Sequence, residues 1–274
     1  MTQLAGANVV VTGGGSGIGR LMAAAMVERG SRVAIWDLDP TAAAEAAEEL
    51  TRRGPGRADP YTCDVTDRDA VFDAAERTAA GTGPVDVLVN NAGVVSGRWL
   101  TELTEAQVRR TFEVNTLALY WTTQAMLPGM MERRRGHVVT IASASSLVGV
   151  AKLSDYAASK WAAMGFDESL RVELRRRGSP VRTTVVCPFY IDTGMFRGVK
   201  SRFPKLLPIL EPGYVAERVV RAVEADRPRL YLPPTVGLGH LMRFLPISAF
   251  DRLNDELGVN RSMDDFVGRA SGVR

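Results

Sequence analysis

The sequence predicts an α/β fold of three layers, with a doubly wound parallel sheet of about seven strands held between helices. Three observations predict it. Short apolar runs alternate with helical stretches along most of the 274 residues. The runs are apolar at successive positions, as strands covered on both faces must be. A cluster of glycines joins the first run to the first helical stretch. Alternation of this kind builds βαβ units and hence a parallel sheet.

The elements follow in order. Asn8–Thr12 is the first strand, and a helix from about Gly17 to Arg29 is closed by Gly30. Arg32–Trp36 is the second strand, followed by an Ala/Glu-rich helix from about Pro40 to Arg53. A strand near Tyr61, a helix from Asp67 to about Ala80 and the strand Val85–Val89 continue the pattern. One long helical region covers roughly Thr104–Arg133, with Pro128-Gly129 as an internal irregularity. The strand His137–Ile141, a helix from Asp155 to Arg177 and the strand Val181–Val186 come next. A helix near Val215–Asp226 and a short strand around Leu230–Leu232 complete it. No repeat and no Gly/Ser linker divides the chain, so residues 1–274 are read as a single domain. Residues 196–250 are apolar and proline-broken, and are read as a substrate flap and C-terminal extension of that domain.

Composition removes other classes. Apolar residues are 46% and charged residues 24%, an ordinary globular balance that excludes whole-chain disorder. The net charge is only +3, and the run Arg133-Arg134-Arg135 stands beside Glu132, so no basic stripe points to nucleic acid. Cys63 and Cys187 lie far apart, and His137 and His240 are the only histidines, so no metal site is expected. The first residues show no cationic segment ahead of a long apolar one, and no run of about 18 apolar residues occurs. A cytoplasmic protein is the expectation.

The loop Thr12-Gly13-Gly14-Gly15-Ser16-Gly17-Ile18-Gly19 carries the first chemical signal. Glycines there let the backbone approach a pyrophosphate whose charge rests at a helix N-terminus. The spacing is Gly13-xxx-Gly17-x-Gly19 rather than GxGxxG, and a purely structural turn is the alternative. Asp37 ends the second strand, where a carboxylate can accept hydrogen bonds from ribose hydroxyls and repel a 2′-phosphate. Neither Ser16 nor Leu38 supplies a cation, so NAD is favoured over NADP. Asp37 as the start of a turn with Asp39-Pro40 is the competing reading.

Tyr156 and Lys160 are four residues apart on one helix face. A nearby ammonium favours the phenolate over a phenol that ordinarily titrates near pKa ~10. Ser143 ends the fifth strand, where a hydroxyl can polarise a substrate oxygen. Such a pair alone is common in helices and often only a surface hydrogen bond. With the glycine loop, Cys63-Asp64-Val65, Asn90-Asn91-Ala92-Gly93, Asn115, and Ser143 thirteen residues ahead of Tyr156, the chain resembles the short-chain dehydrogenase/reductase family over roughly residues 5–235.

The resemblance implies a Rossmann fold with Tyr156 as acid/base and Ser143 on the reacting oxygen. It implies that Lys160 lowers the tyrosine pKa and holds the nicotinamide ribose, while Asn115 supports a water-linked proton path. Asp64 and Val65 would flank the adenine, Asn91 would lie beside the cofactor, and Ile191 and Thr193 would meet the carboxamide. One departure is Phe189, where the family commonly has glycine after Pro188. The stretch Cys187–Phe196, with Met263–Gly268, resembles the retinol and hydroxysteroid dehydrogenase branch.

The expected activity is NAD-dependent interconversion of a lipophilic alcohol and its carbonyl. The alternatives are an NADPH-preferring carbonyl reductase and a catalytically idle NAD-binding regulator. A homo-oligomer through the helices containing Thr116–Met131 and Asp155–Arg175 is the partner implied by the family. The segment 196–250 has three readings: a lid over the substrate, packing or subunit contact, and docking on a membrane through Lys200, Arg202, Lys205 and Arg243. The last is the weakest, because the helical stretches are short and proline-broken.

Overall fold

A computed structural model describes residues 1–268. Seven parallel strands form one sheet: β1 (Asn8–Thr12), β2 (Arg32–Asp37), β3 (Arg57–Thr62), β4 (Val87–Asn90), β5 (His137–Ile141), β6 (Arg182–Pro188) and β7 (Arg229–Leu232). Their order is β3-β2-β1-β4-β5-β6-β7. The helices are α1 (Gly17–Glu28), α2 (Pro40–Arg53), α3 (Arg68–Thr82), α4 (Glu105–Phe112), α5 (Ala118–Glu132), α6 (Ser154–Arg176), α7 (Pro212–Glu224), α8 (Gly239–Met242) and α9 (Ile247–Glu256).

The apolar runs bury both faces by strict alternation. Val9, Val11, Val87 and Val89 pack with Met22, Met26, Leu50 and Val219 on one side. Val10, Leu88 and Val138 pack with Val71, Met126, Met130 and Leu170 on the other. Register keeps each face in line: Val10 lies opposite Ala34 and Leu88, and Leu88 opposite Val138. Thus α1, α2 and α7 cover one face, and α3, α5 and α6 the other.

Helix starts follow side-chain caps. Asp39 accepts from the Thr41 and Ala42 amides, Asp67 from Asp69 and Ala70, and Glu211 from Gly213 and Tyr214. Glu211 with Pro212 therefore starts α7 ahead of the predicted Val215. Gly30 follows α1 at φ +82°, the left-handed conformation expected of a residue that ends a helix.

The expected long helical region is continuous from α4 through α5. Its irregularity is a wide π turn at Glu113–Leu117, while Pro128 lies inside α5. The turn holds Asn115, whose amide is pulled to the Val94 backbone at 2.9 Å and to Ser159 Oγ at 3.0 Å. Residues 247–256, read from sequence partly as apolar appendage, form a helix, α9. Among the described residues no helix is long and apolar enough to cross a membrane.

Candidate active site

Neighbours β1 and β4 send their chains in opposite directions along the sheet, α1 towards β2 and the β4 loop towards β5. The crevice at such a switch point is where open α/β sheets bind ligands. Here it is a cavity of about 380 Å³. Every residue expected from sequence to touch a cofactor or substrate lines it: Gly13, Ser16, Gly17, Ile18, Gly19, Asp37, Asp64, Val65, Asn91, Ser143, Tyr156, Lys160, Ile191 and Thr193. Asn115 alone does not, being buried behind the wall.

A clasp between the two diverging strands shapes the glycine end. Thr12 Oγ1 accepts from the Asn91 and Ala92 amides, both at 3.0 Å. Asn91 Nδ2 donates back to the Thr12 and Gly13 carbonyls at 2.9 and 3.2 Å. Gly13 has φ +62°, and a Cβ on Gly19 would stand 2.2 Å from the Gly13 carbonyl oxygen. Only glycine fits this approach. Asn91 thus holds the loop as well as lining the cavity. Ser16 precedes α1 without its hydroxyl making a capping bond, so that hydroxyl is free for an anion at the helix N-terminus.

Asp37 makes the turn weighed from sequence and also lies in the cavity wall. Its Oδ1 accepts from the Asp39 amide at 3.1 Å, forming the turn, while Oδ2 accepts from the Gly15 amide at 2.9 Å and faces the cavity. Leu38 and Asp39 lie beside it in the same wall. Asp64 is turned towards Thr66, whose amide and hydroxyl donate to Oδ1 at 3.0 and 2.7 Å. Val65 is buried beside it.

The reacting end is assembled from β5 and α6. Ser143 is extended at the end of β5, and its Oγ accepts from the Ser145 amide at 3.1 Å and donates to Ser145 Oγ at 3.2 Å. Ser146 Oγ donates to the Lys160 carbonyl at 2.8 Å, tying this turn to α6. Lys160 Nζ donates to the Ile141 carbonyl at 2.8 Å and lies 5.8 Å from the Tyr156 ring centre. Burial lowers the Lys160 ammonium to about 8.

Burial also dominates Tyr156, pushing its hydroxyl above the ordinary range, with the Ser143 hydroxyl acting in the opposite direction. Burial thus sets the direction at Tyr156, while the Lys160 ammonium beside its ring is held by the Ile141 carbonyl. Asn115 is spent on Val94 and Ser159. A Cβ on Gly93 would lie 3.4 Å from Asn115 Oδ1 and 3.6 Å from Lys160 Nζ, so this glycine keeps a narrow gap open between them.

The remaining walls are mostly apolar, with Arg110, Thr235 and Asn254 as polar exceptions. Phe189, at the position where glycine was expected, stacks edge-on against Tyr190 at 4.7 Å, and Tyr190 against Phe196 at 5.1 Å. Phe196 in turn meets Tyr156 at 5.6 Å. Leu206, Leu207, Leu238 and Met242 line the cavity, whereas Leu210 packs in the core and bridges to Ile191.

Arg243 holds this cap down. Its Nε donates to the Leu147 carbonyl at 3.0 Å and its guanidinium lies 4.3 Å from the Trp161 ring centre. Sequence reasoning missed Ser145, Asn254, Leu257 and Val259, which also line the cavity. The Ser-Ala-Ser-Ser string could have drawn attention to Ser145; nothing local marks the other three. Met263 is fully buried against Tyr156, Tyr190 and Leu153, so the C-terminal segment seals the back of the site.

Among the described residues no group of three His, Cys, Asp or Glu side chains could hold a metal ion. The sequence profile of the short chain dehydrogenase family matches residues 7–202. The chain belongs to the short-chain dehydrogenase family. Within it, the chain stands on the retinol dehydrogenase-like branch. It is 39% identical over 267 residues to human epidermal retinol dehydrogenase 2, covering 97% of this chain and 86% of that protein. It is 37% identical over 295 residues to retinol dehydrogenase 10-B of Xenopus laevis, again covering 97% and 86%.

A solved 3-oxoacyl-[acyl-carrier protein] reductase from Brucella melitensis with bound NAD superposes with TM-score 0.73 at 31% identity, covering 84% of this chain and 90% of that one. A Burkholderia phymatum short chain dehydrogenase in complex with NAD superposes at 0.78 over 95% and 98%, and at 24% identity it speaks for the fold alone.

Proposed function

We propose that the chain is an NAD-dependent dehydrogenase that interconverts a lipophilic alcohol and its carbonyl. The observation that carries this is the convergence of Ser143, Tyr156 and Lys160 in a cavity that is apolar around them over most of its remaining wall, with Asp37 in the same cavity. The glycine loop, Ser16 and the α1 N-terminus would hold the pyrophosphate, Asp37 the adenosine ribose, and Ile191 and Thr193 the carboxamide. When bound, the oxidised nicotinamide accepts a hydride from the alcohol carbon and brings a positive charge to the site.

The protein's own groups handle the oxygen and its proton. Ser143, held by Ser145, donates to the substrate oxygen and fixes its position. Tyr156 as phenolate takes the hydroxyl proton, and as phenol returns it in the reverse direction. Because burial raises Tyr156 and a nearby positive charge favours its phenolate, oxidation gains rate with rising pH. Lys160, pinned to Ile141, stands where an ammonium stabilises that phenolate.

Leu147, Val148, Val150, Leu206 and Leu207 would enclose an apolar substrate body, which agrees with the retinol dehydrogenase names of the relatives. Segment 196–250 then serves as a substrate-facing cap. Exposed Leu117, Tyr120, Trp161 and Val172 on and around α5 and α6 support a homo-oligomer through those helices. A turnover screen with NAD against retinoids, steroids and short aliphatic alcohols, read at the absorbance of the reduced cofactor, tests the proposal. Turnover should favour long apolar alcohols. Firm NAD binding with no turnover of any alcohol would instead make the chain an NAD-binding regulator.

A further inference from the structure

Asn254 stands in α9 and is only 2% exposed, yet it lines the cavity. Half of its carboxamide is engaged. Nδ2 donates to the Phe250 carbonyl at 2.9 Å, one helical turn back. A carbonyl only accepts, so the amide nitrogen must face Phe250 and Oδ1 must point away from it. Among the described residues no donor reaches Oδ1. Nor is Oδ1 among the buried oxygens that are sealed off without a partner. It is therefore open, and the space this buried side chain borders is the cavity.

The other polar groups of the wall have work of their own. The Tyr190 hydroxyl is paired with Ser262 at 2.8 Å, and the Thr235 hydroxyl donates to the Leu206 carbonyl at 3.0 Å. Arg110 stands with Asp64, at 3.9 Å, in the part of the cavity assigned to the adenine. Leu257 and Val259, the next residues of the Asn254 segment on the wall, are apolar. One open acceptor in such a setting has a chemical consequence. A buried oxygen left without a donor costs free energy. Water meets that need only until an apolar body displaces it. A hydrocarbon filling this part of the cavity would leave Oδ1 unpaired, whereas a hydroxyl there would donate to it. A site built to bond a hydroxyl rejects the analogue that lacks one.

We propose that Asn254 is a specificity-determining residue whose Oδ1 accepts a hydrogen bond from a second hydroxyl of the substrate, remote from the one that reacts. The substrate class is then a bifunctional lipophile, an apolar body with one hydroxyl at Ser143 and Tyr156 and another at Asn254. The reacting end rests on the dehydrogenase reading; the remote end does not.

Three matched series of straight-chain compounds test this over a ladder of lengths: primary alcohols, diols with a hydroxyl at each end, and the same diols with one end capped as a methyl ether. Binding to the full chain with NAD is measured by calorimetry, and turnover separately at the absorbance of the reduced cofactor. At the length that spans the two ends, the diol should bind about tenfold or more tightly than the plain alcohol. A symmetric diol gains roughly twofold by presenting either end, so the larger factor separates recognition from statistics. The methyl ether has no donor at its capped end and should bind like the plain alcohol. Asn254→Leu should erase the diol preference while the plain alcohol binds as well as before or better. Leu257→Ala, on the same wall, should weaken both members of a pair alike.

Absence of a diol preference at every length overturns the proposal, as does a methyl ether that matches the diol or a preference that Asn254→Leu retains. If Asn254→Leu does not fold, the diol-to-ether ratio of the parent chain still decides. Diol-selective binding with no turnover of any alcohol refutes the dehydrogenase reading and leaves the role of Asn254 standing. Equal binding and equal turnover of both members of every pair do the reverse.

Discussion

Gly19→Ala sets two effects of opposite sign against each other within α1. Alanine in a helix interior is favoured over glycine by about 1 kcal/mol. Its Cβ, however, would lie 2.2 Å from the Gly13 carbonyl oxygen and 2.5 Å from Asn91 Nδ2. Main-chain oxygen cannot swing aside, and moving Asn91 breaks its bonds to Thr12 and Gly13. Overpacking of this kind costs roughly 1–3 kcal/mol, and each lost hydrogen bond about 1 kcal/mol. The clash wins, with a net loss of about 2–4 kcal/mol divided between folding and the shape of the loop.

Urea denaturation and NAD titration should together show that loss: a lower midpoint, weaker binding, or both. Gly149→Ala is the control, since nothing lies within 4 Å of its added Cβ; it should stay within about 0.5 kcal/mol of the parent. Unchanged stability together with unchanged NAD affinity in Gly19→Ala would refute the reasoning.

Asp37→Ser with Leu38→Arg should move preference from NAD towards NADP by about tenfold or more, about 1.4 kcal/mol; a parent chain that already binds NADP more tightly defeats the assignment of Asp37. Asp167 is buried, its Oδ1 has no hydrogen-bond partner, and burial raises it from an ordinary 3.8 to about 7. The folded state holds that proton more tightly than the unfolded one, so stability is lost as pH rises from about 4 to about 7. Asp167→Asn should match the parent near pH 4 and exceed it by up to about 4 kcal/mol at pH 8, and an equal difference at both pH values would contradict this. Leu206→Ser with Leu207→Ser should raise KM for long apolar alcohols far more than for short ones; an equal rise, or loss of folding, would assign the segment to packing.

The sheet was legible because its strands are buried on both faces and so announce themselves as apolar runs. The loop at Gly13–Gly19 was legible because a close backbone approach demands glycine. Asn115 was reachable only through the resemblance: its work is done by an amide locked to Val94 and Ser159, and the wide turn carrying it has no local signature.

Pro128 was legible as an irregularity inside a helix, since a proline there removes one amide donor without ending α5. The walls supplied by Asn254, Leu257 and Val259 were invisible for another reason. They are placed by contacts far along the chain, the Tyr190 hydroxyl to Ser262 at 2.8 Å and the burial of Met263 beneath Tyr156. The pairing of Lys200 with Asp265 was invisible for the same reason.

On the proposed function, Tyr156 moves the proton in a hydride-transfer reaction. Tyr156→Phe keeps the ring that packs against Phe196 and Met263 and removes only the hydroxyl. Steady-state oxidation of the best alcohol from the screen, measured beside NAD affinity in the same preparation, is the direct test. Turnover should fall by roughly 10²–10⁴-fold with NAD affinity largely kept. Near-normal turnover in Tyr156→Phe would contradict it.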